Sequence, residues 1–423
     1  MKLEFVNRLA ELRELDAARK RGGLLVLYGR RRVGKTRLLR QWLGRHDGLY
    51  SQAIEAQGDL QLAQVFQDIG AQLETKVVPR TWPEFFEILA LQKRRWVLCL
   101  DEFPYLTATD STLPSRLQSW LDHDLPEGCL LILAGSSTRM MSDLFLHRAA
   151  PLYGRARKLV QVRPMNYAAF CAARGQAPGR MESFEKFACV GGIPKYWEFV
   201  EPRQTVVALA ESLYFDFAPY MEQEPQRILR DEGVTGLNAL AVLEAVGRGA
   251  ERPSEIASRL GTAQTNLSRL LSQLLDASLL TRELPYGESV RTTKKTLYRI
   301  EDPTLRFWFR VFSPHQSRWS TYQREQKQKL IHDHAATVFE DHCRAMFPGS
   351  GRYWEGDMEL DLVAPDPEGA GRVFVAEVKW RHLSMAERKT LMEQLRDKWA
   401  RSALSARHPR VRFEVIDAGA LEV

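Results

Sequence analysis

Eight consecutive residues carry the clearest chemistry in the chain: Gly29, Arg30, Arg31, Arg32, Val33, Gly34, Lys35 and Thr36 match the pattern G-x-x-x-x-G-K-[ST] throughout. The glycines let backbone amides turn inward around a β-phosphate, where a Cβ would obstruct the loop. A helix starting at the loop's end aims its positive pole at the same anion. Lys35 is placed to reach the β- and γ-phosphates, the Thr36 hydroxyl to ligate magnesium, and Arg37 to stand on the phosphate side of the following helix. The side chains of Arg30, Arg31 and Arg32 are expected to form a solvated or regulatory face rather than catalytic groups.

A second acidic site follows in WVLCLDEF, where Asp101 and Glu102 end an apolar run. Acids at the carboxyl end of a parallel strand open into the ligand crevice. Asp101 is expected to hold magnesium, directly or through water, and Glu102 to polarise the attacking water. CLLILAG ends in Ser136-Ser137, where a hydroxyl could contact the γ-phosphate; a plain strand-ending turn is the alternative. Arg155 in PLYGRAR is read as an arginine finger or as an ordinary surface arginine.

Near the carboxyl terminus, Glu340 lies on a helical pattern, Asp361 in MELDLVA, and Glu377 and Lys379 in VFVAEVKW. Residues two apart on a strand share a face, so Glu377 and Lys379 point the same way. Asp361 on a neighbouring strand would complete a carboxylate pair. Glu340, Asp361 and Glu377 then make a hard-oxygen site for magnesium, with Lys379 orienting water or stabilising developing phosphate charge. His332, His334 and His342 lack metal-ligand spacing and are read as surface or packing residues.

The elements that must position these groups are legible as alternating patterns. Apolar strand-like runs at 24–28, 49–54, 96–100, 129–135 and 158–162 alternate with helical stretches, which indicates a parallel sheet covered on both faces. From 166 to 230 the strand signals vanish and aromatic-rich amphipathic helices take over, as in a helical lid. Residues 236–247, 253–260 and 262–280 give three helices with a Gly261 turn before the third, and RELPYGESVRTTKKTLYRI alternates like a hairpin with a basic tip. That is the order of a winged helix-turn-helix. Gln264, Thr265, Asn266 and Arg269 fall on the exposed face of the third helix, where they can read base edges or phosphates; Arg291, Lys294 and Lys295 would add backbone contacts. Such modules also serve as protein-docking and lid domains.

FVNRLAEL, YGRRRVGKT, LDEF, AGSS, PLYGR and Gly191-Gly-Ile-Pro-Lys195-Tyr, in that order over roughly residues 1–230, resemble the archaeal-type ATPases of the STAND P-loop class. The resemblance implies a central sheet of order 5-1-4-3-2, a helical subdomain, and ATP with Mg2+ as cofactors. It also implies that Gly192 and Pro194 are adenine-side contacts, with Asn7-Arg8 as a further base or ribose contact. The D…E-x-K arrangement resembles the PD-(D/E)xK nuclease fold, and AEVKW with WFRVFSP resembles the uncharacterised domain often fused to archaeal-type ATPases. Leu360 stands where many such nucleases carry proline. A silent nuclease-like fold kept for binding is the alternative.

The expected fold class is therefore multidomain α/β: a P-loop ATPase core over 1–165, a helical lid over 166–230, a winged helix over 231–312 and a nuclease-like α/β domain over 313–423. Its expected function is that of an ATPase whose nucleotide state controls a DNA-binding and DNA-cleaving end, with a DNA-binding regulator or a signalling ATPase as alternatives. A length of 423 residues with 44% hydrophobic content suits several cores. The five scattered cysteines argue against a disulfide framework, and no apolar run approaches the roughly 20 residues a membrane span needs. A cytoplasmic protein is expected. The net charge of +7 favours an anionic partner, DNA first, with a protein partner or self-association second.

Overall fold

The computed structural model describes residues 3–422 apart from 235, 236 and 292. Five strands, β1 (Gly23–Tyr28), β2 (Leu49–Gln52), β3 (Val97–Asp101), β4 (Leu130–Gly135) and β5 (Ala156–Gln161), form one sheet in the order β2-β3-β4-β1-β5. Every pairing in it is parallel. Successive residues of β1 feed different layers: Leu25 and Leu27 enter one core and Leu24 and Val26 the other. A strand covered on both faces needs apolar residues at both phases, which is why it reads as an unbroken run. The sheet order is the one the family resemblance implied.

Helices Tyr167–Arg174, Met181–Val190, Val206–Ala210 and Glu224–Asp231 follow the sheet. Next come three helices, Leu237–Gly247, Pro253–Arg259 and Gln264–Asp276, and an antiparallel ribbon of β6 (Leu280–Glu283) and β7 (Leu297–Ile300). The hairpin expected to alternate through 282–300 closes only at its base. Pro285 and Gly287 interrupt it, and the Tyr286 amide donates instead to the Arg352 carbonyl at 2.7 Å, laying the loop on the C-terminal sheet.

That sheet consists of β8 (Gly351–Glu355), β9 (Met358–Pro365), β10 (Val373–Val378) and β11 (Val411–Ile416), in the order β11-β10-β9-β8. β10 and β11 are parallel and the other pairs antiparallel. The long helix Arg324–Ala345 precedes it and Met385–Arg401 lies between β10 and β11.

The boundary expected at 312/313 falls inside a helical run. Pro303–Phe307 continues through a π turn at Trp308–Phe312 into Ser313–His315. Phe307, Trp308, Phe309 and Phe312 are buried there, and the Trp308 indole donates to the Met221 carbonyl at 3.0 Å. Ser313-Pro314 therefore continues packed structure rather than a linker. The Arg324–Ala345 helix packs on the helices Met181–Val190 and Val206–Ala210, where Phe184, Phe339 and Trp380 meet ring to ring. One apolar core thus runs from Leu27 through Phe184 and Leu243 to Phe374 and Ile416. The five cysteines are buried and free, and no helix among the described residues is long and apolar enough to cross a membrane.

Candidate functional site

The loop between β1 and the Lys35–Leu43 helix lies at the carboxyl ends of the strands. Gly29 takes φ 153°, and a Cβ there would collide with the Val162 carbonyl, so only glycine lets the loop leave β1 beside β5. Lys35 is buried, and its Nζ donates to the carbonyls of Gly29 and Arg30 at 2.7 and 3.0 Å. Burial pushes the ammonium down to about 8, against the pull of Glu102 and Asp101. An ammonium gathered by the loop's own carbonyls marks the place where phosphate oxygens would take it over.

Thr36 Oγ1 donates to Asp101 Oδ2 at 2.6 Å, which brings the two expected magnesium ligands face to face. The Glu102 amide donates to Asp101 Oδ1 at 3.0 Å. Tyr50 Oη donates to Asp101 Oδ2 at 3.0 Å; burial first, and then the Asp101 charge, push that phenol up, so it remains a donor. Ser136 holds Glu102 doubly: its hydroxyl donates to Oε1 and its amide to Oε2. Ser137 instead caps the Thr138–Phe145 helix and donates to Glu232 Oε2 at 3.1 Å.

Strain collects here. Four of the non-glycine residues with positive φ, namely Asn7 (60°), Arg8 (71°), Arg32 (67°) and Glu102 (57°), lie at this site. Each costs roughly 1–2 kcal/mol. The Arg8 side chain is buried behind the loop, donating to the Val33 and Arg163 carbonyls at 2.8 Å each. It therefore braces the loop instead of reaching into the nucleotide cavity.

That cavity, about 720 Å³, is lined by Gly34, Lys35, Thr36, Glu102, Ser136 and Pro194 among others. Arg37 also lines it, donating to the Leu3 carbonyl. Gly192 does not line it. A Cβ at 192 would collide with the Met165 carbonyl, and the Met165 amide donates to the Gly192 carbonyl at 2.8 Å, so this glycine permits backbone packing behind the wall. A second cavity of about 580 Å³ shares Arg31, Arg32, Glu102 and Ser136 with the first and adds Arg227 and Arg230. Arg155 is at neither. It chelates Asp122 at the start of β5, the opposite end of the sheet, so the finger expected at 155 does not reach the phosphate site from within this chain.

The three arginines of the loop are paired, contrary to a simple solvated face. Arg30 Nη1 meets Asp302 Oδ2 at 2.6 Å with both side chains buried, 8% and 2% exposed. Arg31 meets Asp231 at 2.6 Å, and Arg32 meets Glu224. Asp302 also caps the Pro303–Phe307 helix, accepting from the Thr304 and Leu305 amides. Sequence reasoning missed these acids, along with Tyr50. Nothing in a linear pattern announces a partner 272 residues away.

At the far end of the chain, Asp361 on β9, Glu377 on β10 and Lys379 come together as expected. Lys379 Nζ lies 2.7 Å from Glu377 Oε1 and 3.5 Å from Asp361 Oδ2, and the Val378 amide donates to Asp361 at 2.9 Å. Lys398, unforeseen, takes Glu377 Oε2 at 2.9 Å. Burial raises Asp361 and, with the Asp361 charge, pushes Glu340 up to about 7; at Glu377 the two lysines outweigh burial and hold the carboxyl down. No group of three His, Cys, Asp or Glu side chains among the described residues is poised for a metal, and Lys379 bridges Asp361 and Glu377. Glu340, Asp361 and Lys398 line a cavity of about 710 Å³ closed on one side by Glu251 and Arg299 of the preceding unit. His334 is buried and bonded to the Ala188 carbonyl, His332 pairs with Glu185, and His342 packs on Tyr167, Phe184 and Phe339, so all three serve packing.

Gln264, Thr265, Asn266 and Arg269 are exposed on the Gln264–Asp276 helix, as are Arg291, Lys294 and Lys295 on the ribbon loop. The same helix packs against Thr138–Phe145 of the first unit.

Comparison with known proteins agrees with this geometry. Residues 5–200 match a family model described as an ATPase domain predominantly from Archaea. Residues 308–391 match one described as archaeal and bacterial proteins of unknown function. An uncharacterized protein of Methanocaldococcus jannaschii is 26% identical over 422 residues, spanning 92% of this chain and 91% of its own. A Walker-type ATPase of Pyrococcus abyssi superposes with a TM-score of 0.53 at 19% identity, over 73% of this chain and 96% of that one. The chain thus carries an archaeal-type ATPase domain with the P-loop fold, joined to a further C-terminal sheet unit.

Proposed function

We propose that this protein is an ATP-driven switch of the STAND class, whose nucleotide state controls how a winged helix and a nuclease-like unit engage DNA. The observation that carries the reading is the pairing of Arg30, Arg31 and Arg32, inside the phosphate loop, with Asp302, Asp231 and Glu224 downstream. A ligand shifts an equilibrium only through contacts that differ between the two states. A γ-phosphate beside Arg31 and Arg32 competes with those carboxylates and so supplies such a difference.

Lys35 and the loop amides would bind the phosphates, and Thr36 with Asp101 would hold magnesium, which would supply charge neutralisation to the phosphates. Glu102, once released by Ser136, polarises the attacking water. An in-chain arginine meeting the γ-phosphate is drawn from Arg227 and Arg230, which share a cavity with Glu102 and Ser136.

The three helices and ribbon at 237–300 act as the winged helix, with Gln264, Thr265, Asn266 and Arg269 toward bases and Arg291, Lys294 and Lys295 toward phosphates. Asp361, Glu377 and Lys379, with Glu340 beside them, form the nuclease-like site, in which Asp361 and Glu377 would hold magnesium in place of the contacts they make to Lys379. A second reading, binding without cleavage, is favoured by one feature: the protein's own Lys379 and Lys398 already neutralise Glu377.

The test is magnesium-dependent cleavage of linear, supercoiled and single-stranded DNA by the full chain, with and without ATP, beside Lys35→Ala, Glu102→Gln and Glu377→Ala. Cutting that responds to ATP in the intact protein, is unresponsive in Lys35→Ala and is lost in Glu377→Ala is the expected result. ATP hydrolysis without cutting of any DNA selects the binding-only reading, and absence of ATP hydrolysis overturns the switch.

A further inference from the structure

We propose that Tyr50 is a positioning residue for the magnesium site, holding the Asp101 carboxylate in the rotamer that receives the ion. The inference rests on the ATPase reading above and assigns a residue outside the two sequence motifs that define it.

The geometry is local and specific. Asp101 is fully buried at the end of β3, and its oxygens are fixed from three sides. The Glu102 amide holds Oδ1 at 3.0 Å, while Thr36 at 2.6 Å and Tyr50 at 3.0 Å both donate to Oδ2. In the β2–β3 register Gln52 stands opposite Asp101 and Tyr50 opposite Cys99, so the long tyrosine side chain reaches forward to the acid from two residues back. Its single hydroxyl hydrogen has another acceptor, Gln52 Oε1 at 3.4 Å, but the closer and charged carboxylate makes the stronger bond. The ring is held from its face by the Arg40 guanidinium, 5.2 Å from the ring centre and on the helix that follows the phosphate loop. Tyr50 therefore links that helix to the acid of the neighbouring strand.

When the Thr36 oxygen turns to a cation, Tyr50 and the Glu102 amide are what keep Asp101 from rotating. Groups that orient a metal-binding carboxylate typically change metal affinity by about 10–100-fold when removed. Tyr50→Phe deletes the hydroxyl and keeps the ring under Arg40, so the fold is preserved while the carboxylate loses one restraint.

The experiment titrates Mg2+ against the full chain with a fluorescent N-methylanthraniloyl ATP, and repeats nucleotide binding in EDTA. Tyr50→Phe should bind the analogue in EDTA as the wild type does, yet need about 10–100-fold more Mg2+ to reach half of the magnesium-dependent signal. Gln52→Ala should follow the wild-type curve. A Tyr50→Phe magnesium curve that overlays the wild type overturns the assignment while leaving the ATPase reading intact. Equal weakening with and without magnesium also overturns it, since that is a general structural effect. Wild-type protein that binds no nucleotide with magnesium overturns both.

Discussion

Lys35 is the residue at which protonation and ligand binding are most tightly joined. Its ammonium is held down to about 8 by burial, and phosphate oxygens would raise it again. Between those two values binding takes up a proton, so affinity must fall as pH rises. Nucleotide affinity, read by titration calorimetry, is expected to be flat below pH 8. Above it, affinity should weaken by up to about tenfold per pH unit until the bound-state value is passed. A flat profile to pH 10 would show that burial does not lower the free ammonium. At this scale the sequence was most informative, because Gly29 to Thr36 and Asp101-Glu102 carry backbone and ligand requirements in their own identities. Tyr50 and Lys398 escaped notice because a side chain acting through a neighbour has no spacing rule to betray it, and for the same reason Arg8 was assigned to the nucleotide rather than to the loop it braces.

Elements add what residues cannot announce. The strands were legible because β1, β3 and β4 are buried on both faces and so are apolar without interruption. The boundary expected at 312/313 divides a continuous run from Pro303 to His315. Pro303 occupies the first turn of its helix, where a missing amide hydrogen costs nothing, and Phe307, Phe309 and Phe312 fasten the run into the core. Asp302 does two jobs at the start of this run, capping the helix and neutralising Arg30. Removing one partner of a buried pair leaves an uncompensated charge. Asp302→Ala should therefore destabilise the chain by about 3–5 kcal/mol in urea unfolding. Arg30→Met combined with Asp302→Asn should recover much of that loss; additive losses in the pair would show that the two groups act independently.

Across the whole molecule the units share rather than merely adjoin. The apolar core that begins on one face of the first sheet continues through the helices of 167–231 and the three-helix unit to one face of the C-terminal sheet. Tyr214 packs on Phe307 and Phe312, and Phe184 on Phe339 and Trp380. A fragment ending at residue 230, the limit of the family resemblance, would bare these rings and leave Arg30 buried without Asp302. Such a fragment is expected to aggregate or to lose its cooperative thermal transition, measured by circular dichroism against the full chain. A fragment melting like the full chain would refute the shared core. The buried Arg30–Asp302 pair also sets an order of events at birth. The partners are 272 residues apart, and synthesis proceeds at about 5–20 residues per second, so Arg30 emerges roughly 15–55 s before the carboxylate that neutralises it. Through that interval the newborn phosphate loop lacks the partner that completes it, and the first module made becomes one of the last to be finished.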